Sequence, residues 1–304
     1  MDEPKKVLVV GDIMIDRYIY VSSERQSPEA PIPVWDELYL ENRLGGAANV
    51  AHNLKALAGD DVEVFLAGTV GLQERRMISR LGIDTVLCSG VETMVKRRYV
   101  DEKNKKYLFR ADSVKKFSEE SSRMFYKTLD HFLTGHVFDA VVFSDYNKGT
   151  IDTGIVDALR MKAGLCVVDS KRIDLTMYAG MQVLKINELE HAAQIARGPY
   201  VGVEGLFDYV VVTHGGKGAE LRQYDHVKSG ALKYVIHSEN FSVQPVKNSD
   251  VTGCGDTHTA AMTFSLLKNK DMRLAVKFAN VCASDVAKKF GTSISDVLSV
   301  NNGV

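Results

Sequence analysis

Near its C-terminal end the chain reads SDVTGCGDTHTAAMTF, with Gly253, Cys254, Gly255 and Asp256 at the mouth of a helix-compatible run. Glycines let backbone N–H groups come close to a ligand and accept backbone angles that other residues resist. A helix expected to begin near Thr257 would aim its positive dipole end and its unpaired N–H groups at the same point. An aspartate held there could take the proton of an attacking hydroxyl while the amides carry the charge of a transferring phosphoryl group. Phosphoryl transfer asks mainly for positioning and electrostatics, and these four residues can supply both. The plainer alternative is a turn in which Asp256 or Thr257 caps the helix, a contact worth about 1 kcal/mol.

Other polar groups stand at comparable places. Gly45 and Gly46 open the run LGGAANVAHNLKALAG, where Asn49 could bond a polyol; tight helix–sheet packing would use the same glycines. In VVGDIMIDRY, Asp16 follows the first strand and could grip sugar hydroxyls, while Asp12 suits a turn equally. Asn187 and Glu190 in NELE fall three apart, on one face of a helix that starts there. They could hold a magnesium ion through water, since Mg²⁺ keeps its waters and takes few protein carboxylates; a helix cap would need the same pair. Lys96, Arg98 and Arg110 could neutralise a substrate phosphate or stand as solvated charges.

The elements that must position these groups follow from pattern. KVLVVGD, DVEVFLAG, DAVVFSD, GLCVVDS, MQVLKIN and FDYVVVTHG are nearly continuous in apolar character, as strands covered on both faces should be. Helix-compatible segments such as AANVAHNLKALAG and EESSRMFYKTLDHFL separate most of them, so a doubly wound, mostly parallel α/β sheet is expected. Ligands of such sheets bind beyond the strands' C-terminal ends, where Asp12, Asp145, Asp169, Asn187 and Gly215 would gather. FSDYNKG and VVDSKRIDL set Asp145 and Lys171 in that region. Residues 17–44 alternate apolar and polar around a proline pair, and 93–111 read as a hairpin with a charged turn. Both predict a small second sheet, inserted as a lid in a single domain over 1–304.

Composition narrows the function. The 304 residues are 45% hydrophobic with a net charge of −1, which gives no field for nucleic acid or an anionic membrane. No apolar run approaches the roughly 20 residues that span a bilayer. The four cysteines lie far apart without a C-x-x-C pair, which points to a cytoplasmic, reducing setting and to no zinc site. A P-loop, a strand-linked G-x-G-x-x-G, H-E-x-x-H and G-x-S-x-G are all missing, which disfavours a Rossmann-type dehydrogenase.

Taken together, the stretches resemble the ribokinase-like (PfkB) family of carbohydrate kinases over nearly the whole chain. DVTGCGDT is similar to the family's D-T-x-G-A-G-D signature, GGAANVA to its N-terminal glycine signature, and NELE to its N-x-x-E motif. Within the family the nearest resemblance is to the D-glycero-β-D-manno-heptose 7-phosphate kinases, through VVGDIMIDRY, SPEAPIPV, GGAANVAHNL, FRAD, FSDYNKG and VVDSK. It implies ATP- and Mg²⁺-dependent phosphorylation of an anomeric hydroxyl to a 1,7-bisphosphate, in nucleotide-activated heptose and lipopolysaccharide biosynthesis. Asp256 would be the base, with Gly253, Cys254 and Gly255 as the anion hole. Asp16, Gly45, Gly46, Asn49, Asp145 and Lys171 would face the sugar, and one or more of Lys96, Arg98 and Arg110 its 7-phosphate. Thr213, Gly216 and Gly218 would line the nucleotide, Asn280 the adenine, and Asn187 with Glu190 would place magnesium.

Many members of that branch carry a C-terminal adenylyltransferase. Here the kinase half alone is expected, with a separate adenylyltransferase acting downstream and a homodimer formed through the lid. The chain departs from the family with Cys254 for alanine, His258 where an aromatic is common, and LKIN for the branch's TPN. A kinase of another sugar, phosphosugar or nucleoside, or a non-catalytic binding relative, stays open at this level.

Overall fold

The computed structural model describes residues 3–89, 92–113, 117–196, 206–226 and 233–297. Strand β1 (Lys5–Gln26) is followed by β2 (Pro33–Gly46), helix α1 (Ala47–Ala58), β3 (Val62–Thr69), α2 (Leu72–Ile78) and β4 (Asp84–Cys88). A hairpin of β5 (Met94–Asp101) and β6 (Lys106–Asp112) leads to α3 (Glu119–Leu133), β7 (Phe138–Asp145), α4 (Thr153–Arg160), β8 (Ala163–Ser170), β9 (Met181–Asn187) and α5 (Glu188–Ile195). The chain continues through β10 (Phe207–Thr213), β11 (Ala219–His226), β12 (Lys233–Phe241), α6 (Cys254–Asn269) and α7 (Met272–Val286).

The main sheet runs β12-β11-β10-β9-β8-β7-β1-β3-β4, parallel from β10 to β4, with β11 and β12 antiparallel at one edge. Successive residues of its strands feed opposite faces. Val7 and Val9 pack with Leu54 of α1 and with Ala260, Ala261 and Ala275 of α6 and α7. Leu8 and Val10 pack with Phe125 and Leu129 of α3 and Ile155 of α4. All six strands expected from the sequence are present. Strands β4, β11 and β12 escape that reading, because edge segments such as ELRQYDH are too polar for a buried-strand pattern.

The lid is a second sheet in the order β2-β1-β5-β6, built from the two segments that break the α/β pattern. One feature differs from expectation: β1 does not end at Asp12. It pairs with β7 up to Gly11 and with β3 up to Asp12, then from Ile13 onward with β2 and from Met14 with β5, so one strand belongs to both sheets. Gly11 permits the passage, since a Cβ there would lie 2.0 Å from the Ser144 carbonyl oxygen. The lid is latched at its far end. Tyr107 stacks on Phe290 at 5.1 Å between ring centroids and donates its hydroxyl to Asp250. Among the described residues no helix is long and apolar enough to cross a membrane.

Leu54 is wholly buried between the sheet and α6, whereas Met161 is 84% exposed. Leu54→Ala is expected to cost about 2–5 kcal/mol in urea denaturation, and Met161→Ala less than about 0.5 kcal/mol.

Candidate active site

Helix α6 starts at Cys254, three residues earlier than expected, because Gly253 takes a left-handed conformation (φ 81°) that sets the first turn. Asp256 is thereby carried into that turn and buried. Its Oδ2 accepts from the Asn49 amide at 2.9 Å, and its Oδ1 from the Tyr146 hydroxyl at 2.7 Å. Asn53, one turn along α1, fixes the Asn49 amide by donating to its Oδ1 at 3.1 Å. Burial pushes the Asp256 pKa above the ordinary carboxylate value, and nearby Asp169 adds to this; the bonds from Asn49 and Tyr146 and the charge of Lys185 pull it back. Space is tight at both glycines: a Cβ at Gly253 would lie 3.0 Å from Asn49 Nδ2, and one at Gly255 3.0 Å from Lys185 Nζ.

A cation pair lies behind this turn. Asp169, at the end of β8, takes Lys185 Nζ on Oδ2 at 2.8 Å and Lys171 Nζ on Oδ1 at 3.2 Å. Burial alone would raise the Asp169 pKa, but the two lysines outweigh it and hold the carboxyl well below its usual range. Lys171 also reaches Glu190 Oε1 at 2.9 Å. Both lysines line a cleft of about 360 Å³ together with Asn187, Cys254, Gly255 and His258. Thr213, Gly216 and Gly218 form one side of it, and Asn280, Ala283 and Ala287 of α7 the other. Asn280 is held in place by donating to the Phe241 carbonyl at 2.9 Å. Gly218 has a shape role as well, since a Cβ there would lie 2.0 Å from the same carbonyl oxygen. His258 is buried, and that burial, with the charge of Lys185, lowers its pKa to about 3, so the ring is neutral.

Asn187 and Glu190 form a capping box on α5, with Asn187 Oδ1 accepting from Glu190 N and Glu190 Oε2 from Asn187 N, each at 2.9 Å. The other Glu190 oxygen takes the Asn187 amide and Lys171. The cap and the ion-binding reading therefore coexist only with a metal held at one remove. Among the described residues no three His, Cys, Asp or Glu side chains gather to hold a metal directly. Such a set would suit a divalent cation held through water rather than by the protein directly.

On the lid side, Asp16 is ion-paired with Arg98 and accepts from the Thr292 hydroxyl at 2.9 Å. Gly45 lies against it, since a Cβ there would sit 2.7 Å from Asp16 Oδ2; Gly46 adopts φ +58° at the start of α1. Register places Lys96 beside Asp16 and Arg110 beside Arg98, so all four share the inner face of the lid. Lys96 is half-buried and its Nζ sits 4.9 Å from the Tyr146 ring centroid; Arg110 is open to solvent and pairs with Asp112 at 2.9 Å. Arg98 and Arg110 line a groove of about 870 Å³ with Lys105, Lys106 and the 248–252 loop.

Asp145 does not join the substrate side, which corrects the reading from sequence. It is wholly buried, and its carboxylate is consumed by the Tyr178 hydroxyl at 2.7 Å, the Asn147 amide at 2.8 Å, Ser170 and Arg172. Lys171 faces the cleft rather than the lid. Sequence reasoning misses Tyr146, Lys185 and Thr292 as site residues. The first lies inside FSDYNKG and the second inside LKIN, two stretches already singled out; Thr292 carries no local signal.

The pfkB family carbohydrate kinase pattern matches residues 4–298. The chain belongs to this family of carbohydrate kinases. The bifunctional protein HldE of Shewanella sp. (strain W3-18-1) is 35% identical, with 96% of this chain and 62% of the relative covered. HldE of Helicobacter pylori (strain G27) is 31% identical over 96% of this chain and 65% of its own length. The chain thus spans less than two thirds of these relatives. Among solved structures, phosphofructokinase-2 from Escherichia coli in complex with potassium superposes with a TM-score of 0.74 at 17% identity, covering 97% of this chain and 96% of that one. Ribokinase from Thermotoga maritima does so with 0.67 at 20% identity, covering 95% of this chain and 94% of that one. These two bear on the fold, which is ribokinase-like.

In this carbohydrate kinase the Cys254 side chain adds a thiol beside the N-terminal turn of α6, and burial first, with Asp250 and Asp256, pushes its pKa up to about 12. The neutral thiol donates to the Asp250 carbonyl at 3.7 Å, and the Cys254 N–H to that of Val251 at 3.2 Å. Cys254→Ala is expected to change steady-state sugar phosphorylation by less than about threefold, under about 1 kcal/mol of barrier.

Proposed function

We propose that this kinase transfers the γ-phosphoryl group of ATP to the anomeric hydroxyl of D-glycero-β-D-manno-heptose 7-phosphate, giving the 1,7-bisphosphate. The observation that carries the reading is Asp256, buried in the first turn of α6 between the lysine-lined cleft and the inner face of the lid. ATP lies in the cleft, with adenine toward Asn280 and α7 and phosphates toward Gly253, Cys254, Gly255 and the pair Lys171 and Lys185. The sugar lies under the lid against Asp16, Gly45, Gly46 and Asn49. Asp256 takes the hydroxyl proton as the oxygen attacks in line. The N–H groups of 253–256 bear the developing charge, and the lysines offset the rest. Mg²⁺, when bound, neutralises charge on the nucleotide's phosphates. The lid excludes water that would otherwise be phosphorylated.

The 7-phosphate is assigned to the basic groove, where Arg98 and Arg110 offer charge-assisted bonds, with Lys96 nearer the reacting end. The relatives named bifunctional protein HldE support this branch of the family, and that name supports a second activity working beside the kinase step. We read 1–304 as one kinase domain working where ATP is abundant, in the cytoplasm. Exposed Leu38, Tyr39 and Leu40 on β2 support pairing of two lids in a homodimer.

A coupled ADP-release assay with ATP and Mg²⁺ tests this. The panel holds the β-heptose 7-phosphate, its α-anomer, sedoheptulose 7-phosphate, fructose 6-phosphate, ribose and adenosine. Turnover should be highest on the β-heptose phosphate and fall about 10²–10⁴-fold in Asp256→Asn. Preference for another member moves the substrate while keeping the mechanism, and a near wild-type Asp256→Asn removes the mechanism. Arg110→Ala should raise KM for the phosphorylated sugar about tenfold with little change in kcat, the loss of one charged hydrogen bond.

A further inference from the structure

The Tyr146 ring touches both halves of the site. Lys96 of the lid lies 4.9 Å from its centroid, and Lys171, just after β8, lies 5.7 Å away on the cleft side. Its hydroxyl donates to Asp256 Oδ1 at 2.7 Å. Its backbone is pinned too. Asp12 Oδ2 accepts from the amides of Tyr146 at 2.8 Å and Lys148 at 3.1 Å, and Asp12 Oδ1 from that of Thr150 at 3.3 Å. The loop after β7 is thus anchored to β1 at its base, and its aromatic tip is set on the carboxylate.

We propose that Tyr146 is a positioning residue for phosphoryl transfer, whose O–H keeps Asp256 ionised and aimed while its ring lies against Lys96 of the lid and Lys171 of the cleft. This rests on Asp256 being the general base. A carboxylate buried beside Asp169 is driven toward its neutral form, which cannot accept a proton. The charged groups around Asp256 do not settle the balance alone: Lys185 and Lys96 favour the anion, Asp169 opposes it, and Cys254 is neutral. Two donors oppose that drive, the Asn49 amide and the Tyr146 hydroxyl. Burial, with the charges of Asp256 and Asp169, holds the phenol far above its usual pKa, so the hydroxyl keeps its proton and serves as a fixed donor.

The test is the pH profile of kcat/KM for the sugar that wild type turns over, compared with Tyr146→Phe, which keeps the ring and loses the O–H. A base whose pKa is lowered by a donor gains that pKa back when the donor goes, so the acid limb should move up by about one pH unit. The rate on the alkaline plateau should stay within about threefold, because there Asp256 is ionised in both proteins. Installing 3,5-difluorotyrosine at 146, a stronger donor of nearly the same shape, should move the limb the other way. A uniform loss at every pH, or limbs that superpose in both replacements, overturns the proposal. Asp256→Asn run alongside separates the two readings. If it is nearly inactive while the limbs superpose, this inference fails alone; if it is active, the reading of Asp256 fails and takes this one with it.

Discussion

A carboxylate without water is costly, and the site is arranged around that cost. Asp256 sits buried at the start of α6, where the helix supplies unpaired N–H groups and a positive dipole end. The remaining compensation comes from elements far apart in the chain: Asn49 from α1, Tyr146 from the loop after β7, Lys185 from β9 and Lys96 from the lid. Each reaches the carboxylate only if the sheet order places β9, β7 and β1 on the same side of the molecule as α1 and α6. The fold thus serves to bring five unrelated segments to bear on one anion.

The second balance is among the cations. Lys171 and Lys185 are neutralised by Asp169 and Glu190, so the cleft is poised near zero charge rather than strongly positive. Each lysine keeps donors beyond those it spends on carboxylates, since an ammonium carries three. A polyphosphate entering the cleft would find cations already desolvated and fixed in place, so little reorganisation would oppose its binding. The anchoring aspartate is held in turn by the Thr259 hydroxyl at 2.9 Å, one turn beyond the start of α6. The helix that supplies the amides also steadies the cations.

Much of this was legible in the sequence. The parallel strands declared themselves through continuous apolar runs, since a strand buried on both faces has no choice of residue type. The glycine turn before α6, the N-x-x-E pair and the two lid segments carried local signals of spacing. Legibility failed where a residue's role depends on what lies opposite. Asp145 stands at the end of a strand, as a ligand-facing residue would, yet its side chain points beneath the loop to Tyr178 and Arg172. Lys185 interrupts an apolar strand without local reason; only the facing Asp169 explains how a buried lysine is tolerated. Thr292, which holds both Asp16 and Tyr18, has no pattern at all because its partners lie 276 and 274 positions away.

The continuity of β1 joins the main sheet to the lid. Asp12 anchors the Tyr146 loop in the main sheet, and Asp16, further along the same strand, pairs with Arg98 in the lid. An extended strand is stiff over that length and leaves little freedom between the two carboxylates. Burial, with the charge of Asp145, raises the Asp12 pKa to about 6, so its hold on the loop amides strengthens as pH rises through that value and the carboxylate ionises. The lid sheet begins where the anchor ends. The strand that anchors the Tyr146 loop through Asp12 is therefore the same one that meets the lid arginine through Asp16, so both contacts share a single support.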